Sequence, residues 1–494
     1  MKGGFVMKKN KKWIQPASCI VIAALAFSAF QCMDPEPFAG SAQKPSEVSL
    51  TKNDLVNGRV MALAQCPKCK FVIPAEATNI DGAQLGIHPG DTICLSATIN
   101  YGPLRFINLN GDSLHLITIT NCGGKVFMNE DSEAPYVIKI MNSRYLHITG
   151  GDNGYGISLS GATLGLSMDH LTTNFEIDHI EVGYVGFAGI MAKTDPTCDE
   201  ATVRGNFTMK NISIHDNFVH YTGGEGLYVG NSFYENGVAT PCGVRKPHAV
   251  VGAKLYNNFI QFTGRDGIQL GSATQGADIF NNNIEYFGTN NEYAQNSGIQ
   301  IGEGTGGRCF NNLIKDGSGN GVTVLGLGDN QVQANVIIGS GGSGIFSDDR
   351  YTPGPSFSFT DNVIINPKGD GIRLYSEKTR NYVVHNMIVN PGAYWQYLQD
   401  QKDREDDGED DQGENNQRII VSRFVSNFLT NPVPSDAYVF RKNNQVKLTE
   451  SRNVFTNQIN NVRAVYNAAF TLDAINKSPA HQPVQIVNLL NVSF

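Results

Sequence analysis

The sequence lacks the signatures of several common classes of protein. Its N-terminal apolar run, Cys19–Phe30, is too short to span a bilayer, and no 3.6-residue apolar rhythm indicates a helical solenoid. It has no Gly-x-Ser-x-Gly nucleophile elbow and no zinc signature. No basic stripe or interleaved aromatic pattern is present either, and such a pattern is typical of nucleic-acid binding. These absences argue against helical repeats, zinc modules and a nucleic-acid partner.

What the sequence does contain is glycine and a repeated phrase. Gly supplies 53 of the 494 residues, and Asn-x-Ile or Asn-x-Val is followed about ten residues later by Gly and an aliphatic residue. The phrase begins at Asn217, Asn258, Asn283, Asn312, Asn335, Asn362 and Asn386, and an earlier copy has His179 in the Asn position. From Asn283 onward the spacings are 29, 23, 27 and 24 residues. That period suits one coil of short strands, so the sequence predicts an all-β solenoid, a parallel β-helix with a single strand from each coil in each sheet.

The repeated Asn has a structural explanation. Coils that stack about 4.8 Å apart place each aliphatic residue on its equivalent in the next coil, which builds a continuous core. An Asn at one bend can adopt the left-handed backbone conformation and bond through its amide to the amides above and below. We therefore predict an Asn ladder with a structural role, and we give His179 the same role.

The N-terminal segment predicts export. A basic stretch precedes the apolar run, so residues 1–32 resemble a signal peptide. The phrase Ala29-Phe30-Gln31-Cys32 resembles a bacterial lipoprotein box, which makes Cys32 the expected lipid anchor; an ordinary secretion signal is the alternative. Residues 33–55 are the expected tether, and the β-helix is expected over 56–494. We expect an outer-membrane or cell-surface lipoprotein, or a periplasmic or secreted protein, that meets the membrane only through that lipid.

The chain is acidic. Its formal charge is −8, and removing the five N-terminal lysines leaves 33 basic against 46 acidic residues, or −13. Nine carboxylates between Asp400 and Glu414 supply much of this charge, and they predict a solvated loop at 400–416. The spacing of its Asp and Gly residues does not fit an EF-hand.

The cysteines predict few cross-links. Cys66 and Cys69 have no second pair at zinc spacing, so they are expected to form a disulfide or to remain thiols. Cys198 and Cys242 fall in long insertions of consecutive coils and are the expected disulfide between those loops. The remaining cysteines, expected in the core or in turns, are Cys94, Cys122 and Cys309.

Both ends of the repeat region resemble a known superfamily. Pro89-Gly90-Asp91-Thr92-Ile93 resembles the opening of many right-handed parallel β-helix proteins of the pectate-lyase-like superfamily, and Pro103-Leu104-Arg105-Phe106 resembles their first coil. The segments Phe470-Thr471-Leu472 and Lys477-Ser478-Pro479-Ala480 are similar to a closing phrase of the same group. The resemblance covers roughly residues 80 to 480. It implies a right-handed β-helix, but that fold hosts lyases, glycoside hydrolases, epimerases, esterases and adhesins.

Irregular coils indicate where function lies. Three insertions, near 193–210, 230–250 and 288–296, interrupt the regular spacing and are expected to wall a groove. The strand after each Gly is the expected floor, with alternate residues pointing outward. The outward column is Met191, Tyr228, Gln269, Gln300, Thr323, Phe346 and Arg373. Beside it stands a second column of Ala188, Glu225, Asp266, Ser297, Asn320, Ser343 and Asp370.

Glu225 and Asp266 are the central candidates, because register would place them about 5 Å apart. Such carboxylates suit the acid and nucleophile of a retaining glycosidase, or they hold Ca²⁺ against a uronate; as Glu-Gly and Asp-Gly pairs they are also ordinary turn residues. A lyase needs a base as well, and the candidates are Lys193, His220, Tyr228, Arg265, Arg245 and Lys246. The expected substrate-binding residues are Gln269, Gln300 and Arg245.

These features favour an exported, carbohydrate-active monomer whose partner is a polysaccharide or surface glycan. A polysaccharide lyase acting on an acidic, uronate-containing glycan is the first hypothesis, with Ca²⁺ as the expected cofactor if one is needed. A glycoside hydrolase is the second, and a surface protein that binds glycans without catalysis is the third. The sequence lacks the Gly-His-Gly and Arg-Ile-Lys phrases of polygalacturonases and the Asp-Pro-His phrase of alginate epimerases, so the residues of those families cannot be carried over.

Overall fold

Between Ile117 and Leu374 each coil contributes one strand to each of three long parallel sheets, and the described coils before Ile117 contribute strands to two of them. The computed structural model describes residues 66–151, 154–327, 329–349, 354–391, 418–419, 440–442 and 446–456. The chain runs through the three sheets repeatedly in the same order, and each strand pairs in parallel with its equivalent one coil further on. This confirms the prediction of an all-β parallel β-helix.

The strands of the three sheets are short. Sheet A contains Asn79–Asp81, Leu104–Ile107, Tyr136–Met141, Leu164–Asp169, Ile190–Ala192, Leu227–Val229, Ile268–Leu270, Ile299–Ile301, Val322–Val324, Ile345–Ser347, Ile372–Leu374 and Phe440–Lys442, with Arg418–Ile419 antiparallel at its end. Sheet B contains Phe71–Val72, Thr92–Ser96, Ile117–Cys122, Arg144–Thr149, Thr173–Asp178, Thr208–His215, Ala249–Tyr256, Ala273–Gln275, Ala277–Phe280, Gly307–Phe310, Asn330–Gln333, Ser356–Thr360, Arg380–Val384 and Lys447–Ser451. Sheet C contains Val126–Asn129, Ile157–Ser160, Ile180–Val185, Phe218–Thr222, Phe259–Thr263, Asn283–Glu285, Leu313–Lys315, Val336–Ile338, Val363–Ile365, Met387–Val389 and Val454–Thr456. Outside the sheets lie the α-helix Gly82–Leu85, the 3₁₀ turn Glu200–Thr202 and a hairpin of Val238–Thr240 with Gly243–Arg245.

The Gly of the repeated phrase is required by close packing at the corner between sheets C and A. A Cβ atom on Gly267 would lie 2.5 Å from Ile284 Cγ2 and 2.6 Å from the carbonyl oxygen of Gly298. The aliphatic residue that follows, Ile268, is fully buried and stacks in register on Leu227 and Ile299. In this phrase the Gly allows the backbones of successive coils to approach closely, and the aliphatic residue after it contributes one side chain to the stacked core.

The Asn ladder lies at the corner between sheets B and C. Asn258 Nδ2 donates to Asn282 Oδ1 at 3.0 Å, and Asn282 Nδ2 donates to Asn312 Oδ1 at 2.9 Å. The same bonding joins Asn217, Asn258, Asn282, Asn312, Asn335, Asn362, Asn386 and Asn453. The assignment of Asn283 to this ladder is wrong, because Asn282 fills the position and Asn283 begins the next strand.

Two further details of the ladder differ from expectation. The left-handed conformation falls on the residue before each ladder Asn, as at Asn257 and Asn281, rather than on the ladder residue itself. His179 does not occupy the Asn position either: Ile180 N donates to Asn217 Oδ1, so Ile180 fills it. His179 has a positive φ and corresponds to Asp216, the residue before the ladder in the next coil.

Three disulfides cross-link the described part of the chain. Cys66 pairs with Cys122 and Cys69 with Cys94, so the expectation of a bond between Cys66 and Cys69, or of free thiols, is wrong. Cys94 and Cys122 lie on neighbouring sheet B strands, and the two bonds therefore tie the first residues described onto the stack. The third disulfide joins Cys198 to Cys242, and Cys309 is a buried thiol.

Several sequence predictions fall outside the described residues. These are the signal peptide at 1–32 with Cys32, the tether at 33–55 and the acidic loop at 400–416. Within the described ranges, no helix is long and apolar enough to cross a bilayer.

Replacing Asn282 with Ala should destabilise the stack, whereas Asn283→Ala should not. The ladder side chain receives the backbone N–H and Nδ2 of Asn258 and donates to Leu255 O and Asn312 Oδ1, so truncation leaves several buried groups without partners. We expect a loss of about 2–4 kcal/mol in the free energy of unfolding, against less than about 1 kcal/mol for Asn283→Ala. Urea unfolding followed by circular dichroism measures both. Equal losses in the two variants would contradict the placement of Asn282 in the ladder.

Candidate functional site

The candidate site lies on the outer face of sheet A, at its corner with sheet C. Tyr228 pairs with Met191 and with Gln269, and Gln269 pairs with Gln300, so the predicted outward column forms in register. Thr323, Phe346 and Arg373 continue this column. Met191, Tyr228, Gln269, Gln300 and Thr323 are all buried even though they face away from the main core. The face is therefore covered rather than open along this part.

The insertions lie beside this face. Residues 193–210 follow the sheet A strand Ile190–Ala192, and residues 230–250 follow the strand Leu227–Val229 one coil later. The disulfide between Cys198 and Cys242 joins the two insertions. The third insertion, at 288–296, contacts the corner directly, because Asn290 Nδ2 donates to the carbonyl oxygen of Gly223 at 2.9 Å.

Glu225 and Asp266 occupy equivalent positions in successive coils. Gly226 N donates to the carbonyl oxygen of Asp266 at 3.0 Å, which fixes their register. Glu225 is 1% exposed and Asp266 is fully buried. Ala188, the equivalent residue one coil earlier, packs with Met191 and Tyr228 in a cluster separate from the main core. The two carboxylates, hereafter the carboxylate pair, thus belong to the outer side of this corner.

The two carboxyl groups differ in their electrostatic environment. Burial raises the pKa of Asp266 well above its usual range, and the charge of Glu225 raises it further. The hydrogen bond from Ser297 N to Asp266 Oδ1, at 2.6 Å, and the charge of Arg265 act against the rise. Asp266 Oδ2 is buried with no hydrogen-bond partner among the described residues. A protonated Oδ2 could therefore donate a hydrogen bond to a ligand. The Asp266 environment thus favours the neutral acid.

Arg265 links the carboxylate pair to the third insertion. Its Nη1 lies 3.8 Å from Glu225 Oε1, and its Nε and Nη2 donate to the two carboxylate oxygens of Glu292 at 2.8 and 3.1 Å. The guanidinium carbon lies 5.3 Å from the centroid of the Phe187 ring. A bidentate ion pair and an aromatic contact hold the charge in place.

Lys193 and Tyr228 form a second group on the same face. The two side chains are buried, and Lys193 Nζ lies 4.6 Å from the centroid of the Tyr228 ring. The Tyr228 hydroxyl lies 2.8 Å from Ser232 Oγ, which also accepts a hydrogen bond from Gln269 Nε2 at 2.6 Å. Lys193 Nζ makes an ion pair with Asp195 at 3.2 Å. The ammonium therefore packs against the face of the phenol ring, and its ion pair with Asp195 helps to hold it there.

Two predicted residues lie elsewhere. His220 belongs to sheet C, where its Nε2 lies 3.2 Å from Glu181 Oε1 and its ring stacks on Phe218. Arg245 belongs to the hairpin of the second insertion and pairs with Glu200 of the first insertion at 2.9 Å. His220 thus lies on the neighbouring sheet and Arg245 in an insertion beside the face, and a role for either residue in the site stays a prediction.

Ser232, Glu292 and Glu303 were missed. All three lie in insertions or turns, where no repeat places the side chain. Glu303 Oε2 accepts a hydrogen bond from Glu235 N of the second insertion at 3.2 Å. The only sequence signal for Glu292 was that it is an acidic residue in an insertion, where it could pair with a basic residue of sheet A or its corners. Several other residues have the same property, so this signal does not single out Glu292.

The carboxylate pair fits a proton donor better than a metal ligand set. Asp266 already accepts a backbone hydrogen bond, and the Arg265 guanidinium stands near Glu225. A Ca²⁺ ion takes six to eight oxygen ligands and competes with a neighbouring cation. Ca²⁺ at Glu225 and Asp266 stays a prediction.

The fold and a family comparison together define the class. A family model described as a right-handed β-helix region matches residues 246–402. The chain is a right-handed parallel β-helix protein, and the resemblance seen in the sequence is confirmed for the fold. A search of curated proteins found no match.

Several solved structures are similar to this chain at low sequence identity. An alginate lyase from Paenibacillus sp. shares 15% identity over 64% of this chain and 97% of its own, with a TM-score of 0.41. The A-module of a mannuronan C-5 epimerase from Azotobacter vinelandii shares 15% identity over 61% and 80%, with a TM-score of 0.38. A GH136 lacto-N-biosidase from Eubacterium ramulus shares 12% identity over 75% and 63%, with a TM-score of 0.39.

The pH dependence of stability should report on Glu303. Burial raises the pKa of Glu303 to about 7; the charge of Glu235 adds to this, whereas the Glu235 N–H and the charge of Lys246 oppose it. The native state therefore holds a proton that the unfolded chain releases near pH 4.5, so this contribution to stability is present at low pH and lost as the pH rises through 7. The wild type should lose about 2–3 kcal/mol between about pH 5 and 8 relative to Glu303→Gln.

Urea unfolding at several pH values measures this difference, and Glu285→Gln is the matched control on sheet C. The control should follow the wild-type curve. A Glu303→Gln curve parallel to that of the wild type would show that this carboxyl is not protonated in the native state.

Proposed function

We propose that this protein is an exported polysaccharide lyase that cleaves a uronate-containing glycan on the outer face of sheet A. The observation that carries the proposal is the presence of two groups, Lys193 with Tyr228 and the carboxylate pair, on the same outer face of sheet A. Positive charge, a phenol and a buried neutral acid stand there on adjacent coils. The three disulfides support export, because such bonds persist in oxidising compartments.

The lyase reaction needs three things of the protein. The proton on C5, next to the uronate carboxyl, must pass to a base, and its electron pair forms the C4–C5 double bond as the C4–O bond breaks. The departing oxygen then takes a proton. Negative charge that develops on the uronate carboxyl must also be stabilised.

The residues on this face can supply the base, the proton for the departing oxygen and the stabilisation of the uronate carboxyl. Tyr228, as phenolate, takes the C5 proton and as phenol returns one to the leaving oxygen, and Lys193 stabilises the phenolate. Neutral Asp266 donates a hydrogen bond to the uronate carboxylate, so no second negative charge opposes it. Gln269 and Gln300 lie on the same column and bind the glycan through their amides. Exclusion of water by the insertions strengthens each of these interactions.

One observation favours a glycoside hydrolase as the second candidate. Glu225 raises the pKa of its neighbour Asp266, and a neutral acid beside a second carboxylate is the arrangement that hydrolysis uses. In that case Asp266 would protonate the glycosidic oxygen and Glu225 would act as nucleophile or base.

Incubation with a panel of uronate polysaccharides, with and without Ca²⁺, separates these functions. A lyase produces new chain ends that carry the absorbance of an unsaturated uronate. New reducing ends without that absorbance would mean hydrolysis, and binding without either product would reject both enzyme assignments.

Tyr228→Phe should lower kcat/KM for the cleaved glycan by about 100-fold or more, because the variant keeps the ring and loses the proton-transfer group. Tyr286→Phe is the matched control, since Tyr286 is an exposed sheet C residue stacked on Phe262 at 4.7 Å. It should stay within about 3-fold of the wild type. Retention of activity in Tyr228→Phe would remove Tyr228 from the mechanism. Loss of activity in Asp266→Asn and Glu225→Gln alone would instead favour the hydrolase.

A further inference from the structure

A histidine–carboxylate cluster lies on a different face from the candidate site. It comprises His147, Glu176, Asp178 and His215, all pointing outward from sheet B. His147 pairs in register with Glu176 of the next strand. Two residues further along that strand, Asp178 pairs in register with His215 of the strand after it. Four polar groups from three successive coils thus form a compact patch. No sequence pattern reveals it, because Glu176 is 29 residues from His147 and 39 from His215, and none of these residues belongs to the repeated phrase.

The ligand atoms of His147, Glu176 and Asp178 converge, and His215 lies outside this group but contacts it through Glu176. His147 Nε2 lies 2.5 Å from Asp178 Oδ2, and His215 Nε2 lies 2.8 Å from Glu176 Oε1. Donor atoms of His147, Glu176 and Asp178 all lie within 4.8 Å of one another. Glu176 and His147 keep about a third of their side-chain surface exposed, so the cluster is open to solvent on one side.

Outer hydrogen bonds orient these donors. Asp216 accepts a hydrogen bond from His215 Nδ1 at 2.7 Å, which turns Nε2 towards Glu176. Thr149 Oγ1 and His179 Nδ1 both donate to Asp178 Oδ1, at 2.5 and 2.6 Å, and so direct Oδ2 to His147. The His215 ring also stacks on Tyr256, with centroids 4.4 Å apart. A carboxylate behind the distal nitrogen of a histidine is the usual outer support of a metal-binding imidazole.

We propose that His147, Glu176, Asp178 and His215 bind a divalent transition-metal ion of the zinc type. Two imidazole nitrogens and two carboxylates are a ligand set that such ions accept in a four-coordinate site, whereas Ca²⁺ and Mg²⁺ prefer oxygen alone. The ion replaces the contacts between the His and carboxylate atoms and joins three coils of the stack. This site is independent of the proposed lyase reaction, because it lies on sheet B.

Metal binding is tested on the full chain, without an added histidine tag, after treatment with a chelator. Calorimetric titration with Zn²⁺ should give one ion per chain with a micromolar or tighter dissociation constant. Titration with Co²⁺ should give the intense visible absorption of a four-coordinate site. A wild-type protein that binds neither ion would overturn the proposal.

Variants separate this site from ordinary histidine–carboxylate pairs. His147→Ala and His215→Ala should each weaken Zn²⁺ binding by more than about 100-fold, and Asp216→Asn by about 10- to 100-fold with the Co²⁺ spectrum retained. The matched control is His385→Ala. His385 follows the sheet B strand Arg380–Val384 and pairs with Asp361 at 2.6 Å, so this variant loses an ordinary histidine–carboxylate pair and should bind Zn²⁺ as the wild type does. Circular dichroism checks the fold of each variant, and His147→Gln replaces His147→Ala if the latter is unfolded. Wild-type affinity in the cluster variants, or an equal loss in His385→Ala, would overturn the proposal.

Discussion

Register between coils is the constraint on which the rest of the structure depends. Parallel backbone pairing alone allows a strand to shift along its neighbour, and a shift of one residue moves every side chain to the other face. The ladder opposes such a shift because each amide binds both the next amide and a backbone carbonyl of the previous coil, as Asn282 does with Asn312 and Leu255. The Gly at the next corner adds a steric limit, because any side chain at Gly267 would collide with the following coil.

Function in this fold is built on columns, and columns exist only because register is kept. The sheet A column brings Tyr228, Gln269 and Gln300 together from residues 41 and 31 positions apart. The insertions then change the environment of a column without breaking it, since they leave and rejoin the coil at its corners. Burial is the largest cause of the raised pKa of Asp266 and of Glu303, and Glu303 accepts a hydrogen bond from Glu235 of the second insertion. The same rule on sheet B brings His147, Glu176 and Asp178 together from neighbouring coils.

The sequence was sufficient for the fold and for the positions of the columns. The Gly-Ile phrases located Gln269 and Gln300 correctly. Only a residue without a side chain fits the close contact between coils at the Gly, so the position of the Gly fixes the register of the residues that follow it. The run Asn281-Asn282-Asn283 was ambiguous, because all three residues satisfy the composition of the phrase and only the backbone shows which amide points inward. His220 was misplaced because five residues of chain cross a corner and reach another face. Partners supplied by insertions, such as Glu292 for Arg265, do not recur at the repeat period, so the sequence does not reveal them. The disulfides of Cys94 and Cys122 depend on how residues 66–72 lie against the first coils, which the repeat does not specify either.

Because this part of the outer face of sheet A is covered, the proposed function requires the cover to open and admit an acidic glycan beside Lys193, Tyr228 and the carboxylate pair. A crystal structure of the Tyr228→Phe protein, which should bind without turnover, with a uronate oligosaccharide bound tests this requirement directly. We expect a sugar carboxylate within hydrogen-bond distance of Asp266 and a ring near residue 228, with Gln269 or Gln300 in contact with the chain of sugars. An oligosaccharide bound instead to the exposed aromatic face of sheet C, at Tyr184 and Tyr221, would contradict the proposal.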